Sequence, residues 1–175
     1  MTGTVGAGKT TTAERVADRL AARGVAYAAI DLDAIRHFGP TPADDPFGSE
    51  IELRNLGPLV RNYLANGAER IVLAGVCETA ADRLRYEGVL GIPLTVCRLR
   101  VPAAELESRL HQRHVEDATG LSWHLSRAGE LDAILDLSAV ADVELTVSQL
   151  SRDEVADAVL RAVGWSRPDE TDVME

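Results

Sequence analysis

Apolar residues recur along this chain in two rhythms. Between Lys9 and Arg23, Ala13, Val16, Ala17, Leu20 and Ala21 fall at i, i+3, i+4, i+7 and i+8, the spacing of one helix face, and Gly24 ends the run. Short, mostly apolar stretches at 25–30 (VAYAAI), 70–74 (RIVLA), 94–99 (LTVCRL) and 142–147 (DVELTV) read instead as strands, because a parallel strand covered on both faces needs little alternation. Ser49 with Glu52 has the spacing of a capping box and predicts a helix carrying Leu56, Leu59, Val60, Tyr63 and Leu64 as far as Asn66-Gly67, with Pro58 kinking or splitting it. Ser151 with Glu154 predicts a second such helix, its apolar face Val155, Ala156, Val159, Leu160 and Val163, stopped by Gly164. Residues 80–88 predict a short polar helix, and Pro102 opens another at a favoured first position.

Between these elements lie two informative gaps. Residues 39–48 (GPTPADDPFG) hold three of the chain's seven prolines and read as a surface loop, a plausible flap on the substrate side. Residues 111–125 are polar, hold three of the four histidines, and lead to a helical stretch at 126–137; a mobile lid would sit there, near 111–127. The acidic stretch 167–175, nearly free of aliphatic residues, predicts a disordered tail after a single domain over 1–166. Strands alternating with helices predict an α/β fold in three layers around a parallel sheet, with ligands at the carboxyl ends of the strands.

The strongest chemical signal is Gly3-Thr4-Val5-Gly6-Ala7-Gly8-Lys9-Thr10, which matches the phosphate-binding P-loop pattern G-x-x-x-x-G-K-[ST] at every fixed position. Glycines let successive backbone N–H groups turn inward around a phosphate, and the helix that follows adds its positive end. Gly3, Gly6, Ala7, Gly8, Lys9, Thr10 and Thr11 are thus the expected nucleotide contacts, with Lys9 on the β- and γ-phosphates of ATP and the Thr10 hydroxyl on Mg²⁺. Only Met1 and Thr2 precede Gly3, so the strand that normally leads into such a loop is missing or truncated. An absent central strand would leave two neighbours with unpaired ladders, which favours a start assigned late over a sheet that lacks its middle.

Composition sharpens the motif. Of 18 basic residues 17 are arginine, and the single lysine is Lys9, where a compact charge on a flexible stem suits a transferring phosphoryl group better than a planar fork. A net charge of −10 argues against binding nucleic acid or an anionic membrane, so any anionic ligand needs a local basic site. No apolar run approaches the length of a membrane span and no leader precedes the loop, which predicts no transmembrane helix and a cytoplasmic location. Cys77 and Cys97 lack metal or redox spacing and read as buried free thiols.

The remaining parts of a phosphotransfer site have candidates. Asp31 and Asp33, two apart, point the same way if the strand continues through them. Asp31 is assigned to the metal and Asp33 to the acceptor hydroxyl, the reverse remaining open, as does a plain capping role for Asp33 on a short helix at 34–38. Glu78 ends the next strand, either beside the metal's water shell and the substrate or as a solvated carboxylate at a helix start. Arg109 and Arg113, four apart on one helix face, are suited to clamp phosphate or stack on adenine, and Arg127 could act from the far side of the lid. Each could instead pair with Glu105, Glu107 or Glu130, the favoured reading for Arg127. Trp123 is expected to pack the lid helix against the body.

With these residues the chain resembles the P-loop small-molecule kinases related to adenylate, shikimate and gluconate kinases. Ile30-Asp31-Leu32-Asp33-Ala34-Ile35-Arg36-His37 is similar in particular to the D-G-D-N-x-R segment of adenylylsulfate kinases, where two aspartates and the arginine line the substrate and metal site; the resemblance implies that role for Asp31, Asp33 and Arg36. Leu32 stands where that pattern has glycine, and neither a Phe-Ser/Asp-Arg segment nor the triple glycine of shikimate kinases is present. The expectation is an ATP- and Mg²⁺-dependent phosphotransferase acting on a hydroxyl of a small metabolite, as a monomer or homodimer; the alternative is a nucleotide-binding regulatory module with little or no turnover.

Overall fold

A computed structural model describes residues 1–166; the predicted tail at 167–175 lies outside the described residues. In chain order the elements are α1 (Lys9–Ala22), β1 (Tyr27–Asp31), α2 (Leu32–Ile35), α3 (Ser49–Ala65), β2 (Arg70–Ala74), α4 (Ala80–Leu90), β3 (Cys97–Arg100), α5 (Ala103–Arg113), α6 (Ala118–Ser138), β4 (Val143–Thr146) and α7 (Arg152–Ala162).

The strands pair as two parallel ribbons, β1 with β2 and β3 with β4. What joins them is the start of the chain. The Met1 nitrogen donates to Leu73 O (2.5 Å) and Gly75 N donates to Met1 O (3.2 Å) on one side. On the other, Thr2 N donates to Cys97 O (2.8 Å) and Leu99 N to Thr2 O (2.9 Å), a parallel bridge of Thr2 to Arg98. The buried Thr2 hydroxyl also accepts from Cys77 N (3.1 Å). Residues 1–3 are therefore a short central strand, and the order β1-β2-stub-β3-β4 is one parallel layer. The expected truncated first strand is this stub.

Alternation along the strands sorts the core into two faces. Val72, Ala74, Cys97 and Leu99 face α1 and α7, against Val16, Leu20, Ala156 and Leu160. Leu73 and Val96 turn the other way, toward Leu56 and Val60 of α3, Tyr86 and Leu90 of α4, and Leu131 and Leu135 of α6. That makes three layers, helix on sheet on helix. Arg98 occupies an inward position on the second face at 1% exposure, and is held by Asp132 and Asp136 of α6 (both 2.8 Å) and Glu144 of β4 (3.1 Å). A smaller cluster of Leu106 and Leu110 of α5 with Ala128 of α6 packs against Val5 of the loop.

Several local expectations change. Pro58 does not split α3, which runs unbroken over 17 residues. Residues 118–125 are already helical, so α5 and α6 form a helix–turn–helix in place of the expected polar loop; the Asp117 carboxylate accepts from Gly120 N (2.8 Å) and starts α6 early. Strand β1 stops at Asp31 instead of running on through Asp33, because Asp31 caps α2. Residues 36–48 hold no helix or strand, and the Ser151–Glu154 capping box is present. No helix among the described residues is long and apolar enough to cross a membrane.

Candidate active site

The loop leaves the stub at Gly3, where φ is +148° and an added Cβ would lie 2.7 Å from Leu99 O. Only glycine fits so close to β3 in that conformation. At the far end Gly8, left-handed at φ 89°, caps α1 without a side-chain bond. The first bond closing that helix runs from Thr12 N to Gly8 O (2.8 Å), so the N–H groups of Lys9, Thr10 and Thr11 have no helical partner. No acidic residue stands in the first turn to offset the dipole.

Lys9 Nζ donates to Gly3 O (3.0 Å) and Thr4 O (2.9 Å). Burial pushes its pKa down from 10.5 to about 8, against a smaller upward pull from Asp33 and Asp31. Thr10 Oγ1 donates to Asp31 Oδ2 (2.7 Å), while Asp31 Oδ1 accepts from Asp33 N (2.9 Å). It is thus Asp31, not Asp33, that caps a helix, and the cap aims its other oxygen at Thr10. The Asp33 carboxylate contacts the Arg36 guanidinium, whose second arm lies 3.3 Å from Glu52 Oε2.

Glu52 was expected to cap α3. The structure gives that task to Asp45, whose carboxylate accepts from Ser49 N (2.7 Å) and Glu50 N (2.9 Å). Glu52 is buried at 2% exposure, accepts from the Tyr86 hydroxyl and holds Arg36. Desolvation drives its pKa upward, more than the hydrogen bond from Tyr86 and the charge of Arg36 lower it.

Glu78 follows β2, and the Thr79–Asp82 box beside it takes over the capping of α4. Glu78 is left to accept from Arg127, whose guanidinium lies 5.0 Å above the Phe47 ring and 3.6 Å from Glu130. Arg109 donates to Glu105 (2.6 Å), the ion pair offered as its alternative reading, and approaches Gly6 O (3.5 Å), joining α5 to the loop. Arg113 has no ion-pair partner among the described residues.

One cleft of about 1260 Å³ collects these groups: Gly6, Ala7, Gly8, Lys9, Thr10, Thr11, Asp31, Asp33, Arg36, Glu78, Arg109 and Arg113 all line it. Gly3 does not; its contribution is the loop's exit and a carbonyl for Lys9. Sequence reasoning missed Tyr86, Phe47 and the inward role of Glu52, whereas the ion pair expected of Arg127 with Glu130 is present (3.6 Å) beside a second one to Glu78. Trp123 does not pack the lid to the body but stands 53% exposed on the cleft wall, edge-on to His124 (4.9 Å), which stacks on His114 (4.5 Å). A signal for Glu52 was available, since a carboxylate sits between Leu53, Leu56 and Val60 on the buried side of its helix.

The donor set fits a triphosphate with Mg²⁺. Unpartnered N–H groups and one ammonium suit phosphate oxygens, and the Thr10 hydroxyl with Asp31 offers two hard oxygens to a divalent cation. No cluster of three or more His, Cys, Asp or Glu side chains among the described residues could hold a metal alone, so the phosphates would complete the shell.

A sequence profile of the AAA domain matches residues 1–128. No curated protein sequence matches significantly. Among solved structures, the tunicamycin resistance protein of Deinococcus radiodurans superposes with a TM-score of 0.63 at 18% identity, covering 94% of each chain. The APS kinase of Mycobacterium tuberculosis, solved with AMPPNP and APS, gives 0.60 at 26% identity over 93% of this chain and 94% of its own. A gluconokinase from Sinorhizobium meliloti 1021 gives 0.59 at 18% identity over 93% and 89%. Loop, layer order and profile agree: the chain belongs to the AAA domain family and is a P-loop protein built like the small-molecule kinases.

Proposed function

We propose that the protein transfers the γ-phosphoryl group of ATP to a hydroxyl of a small molecule. The observation that carries this reading is the division of one cleft into two chemistries, with Lys9, Thr10 and Asp31 at the loop end and Asp33, Arg36 and Glu78 beyond them. A module that only binds nucleotide needs the first set; the second has a use when an acceptor must be oriented. The names of the solved neighbours, an APS kinase and a gluconokinase among them, support the same class of reaction.

In this reading the loop N–H groups and Lys9 hold the β- and γ-phosphates. Thr10 and Asp31 would hold Mg²⁺, which when bound would supply charge neutralisation to the phosphates. Asp33 accepts the proton of the acceptor hydroxyl as that oxygen bonds to phosphorus; the bond to the bridging oxygen breaks and ADP leaves with the electron pair. Arg36, braced on buried Glu52, fixes the Asp33 carboxylate. Arg113, close enough to Lys9 to lower its pKa, and Arg109, anchored on Gly6, stabilise the charge in flight. The cytoplasm, where ATP is supplied, is the location that goes with this activity.

The test is ADP formation with pooled hydroxyl acceptors, alongside calorimetric titration of ATP with Mg²⁺. Turnover stimulated by at least one pool and abolished in a folded Lys9→Ala variant is the expected result. Nucleotide binding with no stimulated turnover would favour the regulatory module, and no heat on adding nucleotide would remove both.

A further inference from the structure

Every guanidinium at the acceptor end of the cleft is already spoken for. Arg36 bridges Asp33 and Glu52, Arg127 lies between Glu78 and Glu130, and Arg85 donates to Glu50 (2.5 Å). Freeing Arg36 would leave Glu52, whose side chain is 3% exposed, with the Tyr86 hydroxyl alone, and losing the charged partner of a buried pair weakens a competing equilibrium by about a hundredfold or more. On this wall four carboxylates (Asp33, Glu52, Glu78, Asp82) face three guanidinium groups (Arg36, Arg85, Arg127). The loop end is the opposite: Lys9 meets only carbonyl oxygens, and Arg113 and Arg152 have no ion-pair partner among the described residues. Trp123, half exposed, adds flat apolar surface where the acceptor would lie, while the Phe47 ring already carries the Arg127 guanidinium 5.0 Å above it.

Resting on the phosphotransfer reading, we propose that the acceptor is a polyhydroxy compound that is uncharged or carries an amine, seated with an apolar ring face on Trp123. An acceptor bearing carboxylate, sulfate or phosphate is excluded from this wall: it would find no unpaired cation there and would face the surplus carboxylate. Hydroxyls and ammonium groups, by contrast, can donate to Asp33 and Glu78 without displacing either arginine.

Acceptors matched in shape and differing in charge test this on the full chain: glucose, glucosamine, gluconate and glucuronate, with a ribonucleoside against its monophosphate. ADP formation is measured for each, and each is titrated calorimetrically with AMPPNP and Mg²⁺ saturating, so that the loop cannot capture the anion. The expected result is a response at least tenfold stronger for neutral or amine-bearing members, with the double variant Glu78→Gln/Glu130→Gln, which removes both ion-pair partners of Arg127, narrowing the gap in favour of the anions. A stronger or equal response to the anions, or no binding by any member, overturns the proposal while leaving the kinase reading intact if ATP still binds. Loss of ATP binding itself overturns the kinase reading and this one with it.

Discussion

Without a phosphate to hold, the Lys9 ammonium is bound only by two carbonyl oxygens, and burial lowers its pKa from 10.5 to about 8. Below pH 8 the group is protonated in both folded and unfolded chains, so the full penalty of burying charge is present. From 8 to 10.5 the folded state gives up its proton while the unfolded state keeps it, and stability rises with pH; above 10.5 both are neutral and the penalty is gone. The shift corresponds to on the order of 3 kcal/mol. Lys9→Met should therefore be the more stable protein at pH 7, by up to roughly that amount, with the difference closing by pH 10.5; urea unfolding across that range measures it. At Asp33 the expectation is kinetic: Asp33→Asn should lower turnover by about 10²- to 10⁴-fold while nucleotide affinity changes little, and equal losses in both would move Asp33 to the metal. Of these two residues only the first was fully legible in the sequence. A P-loop is local, its geometry written in eight consecutive residues. The roles of Asp31 and Asp33 depend on where a strand ends, and an Asx cap ends it at Asp31, so the condition under which the two aspartates would point the same way is not met.

Helices and strands repeat that contrast. Spacing revealed the faces of α1 and α7 because burial on one side leaves a period. For Glu52 two signals compete: three residues after a serine it has capping-box spacing, yet at four and eight residues before Leu56 and Val60 it lies on the buried face, and the second prevails. The inward answer links α3 to α4 through Tyr86 and to α2 through Arg36. Glu52→Ala should cost about 1–3 kcal/mol, chiefly by leaving Arg36 with Asp33 alone and the Tyr86 hydroxyl with only the Val76 carbonyl (3.3 Å), and should raise the acceptor's KM more than that of ATP. Chemical denaturation and steady-state kinetics separate the two effects. The early start of α6 escapes the pattern for a related reason. Polar residues at 118–125 suggested loop, but a helix that lies over a cleft has a wet face toward ligand, and tertiary contacts lower down, Leu131 and Leu135 in the core and Asp132 and Asp136 on Arg98, hold it in place.

At the scale of the molecule, a net charge of −10 surrounds a site built for an anion. Affinity for nucleotide must then come from the loop end of the cleft alone, with no help from long-range attraction. Binding there should be felt everywhere, because the loop begins in the stub that joins the two ribbons of the sheet. A nucleotide analogue present at a hundred times its Kd should add about 2.7 kcal/mol to unfolding in a single cooperative step. Gly3→Ala, which forces a Cβ against Leu99 O in a left-handed backbone, should lower stability by about 1–3 kcal/mol and abolish that gain; thermal scans with and without AMPPNP read both.

The same seam has a consequence for how variants of this protein are judged. Three residues act at once as keystone of the sheet and threshold of the phosphate cradle, so damage to Thr2 or Gly3 will masquerade as a chemical defect while being a mechanical one. A screen that scores output alone would credit those positions with a part in the reaction, and only paired measurement of cohesion and rate would tell the hinge pin from the hand.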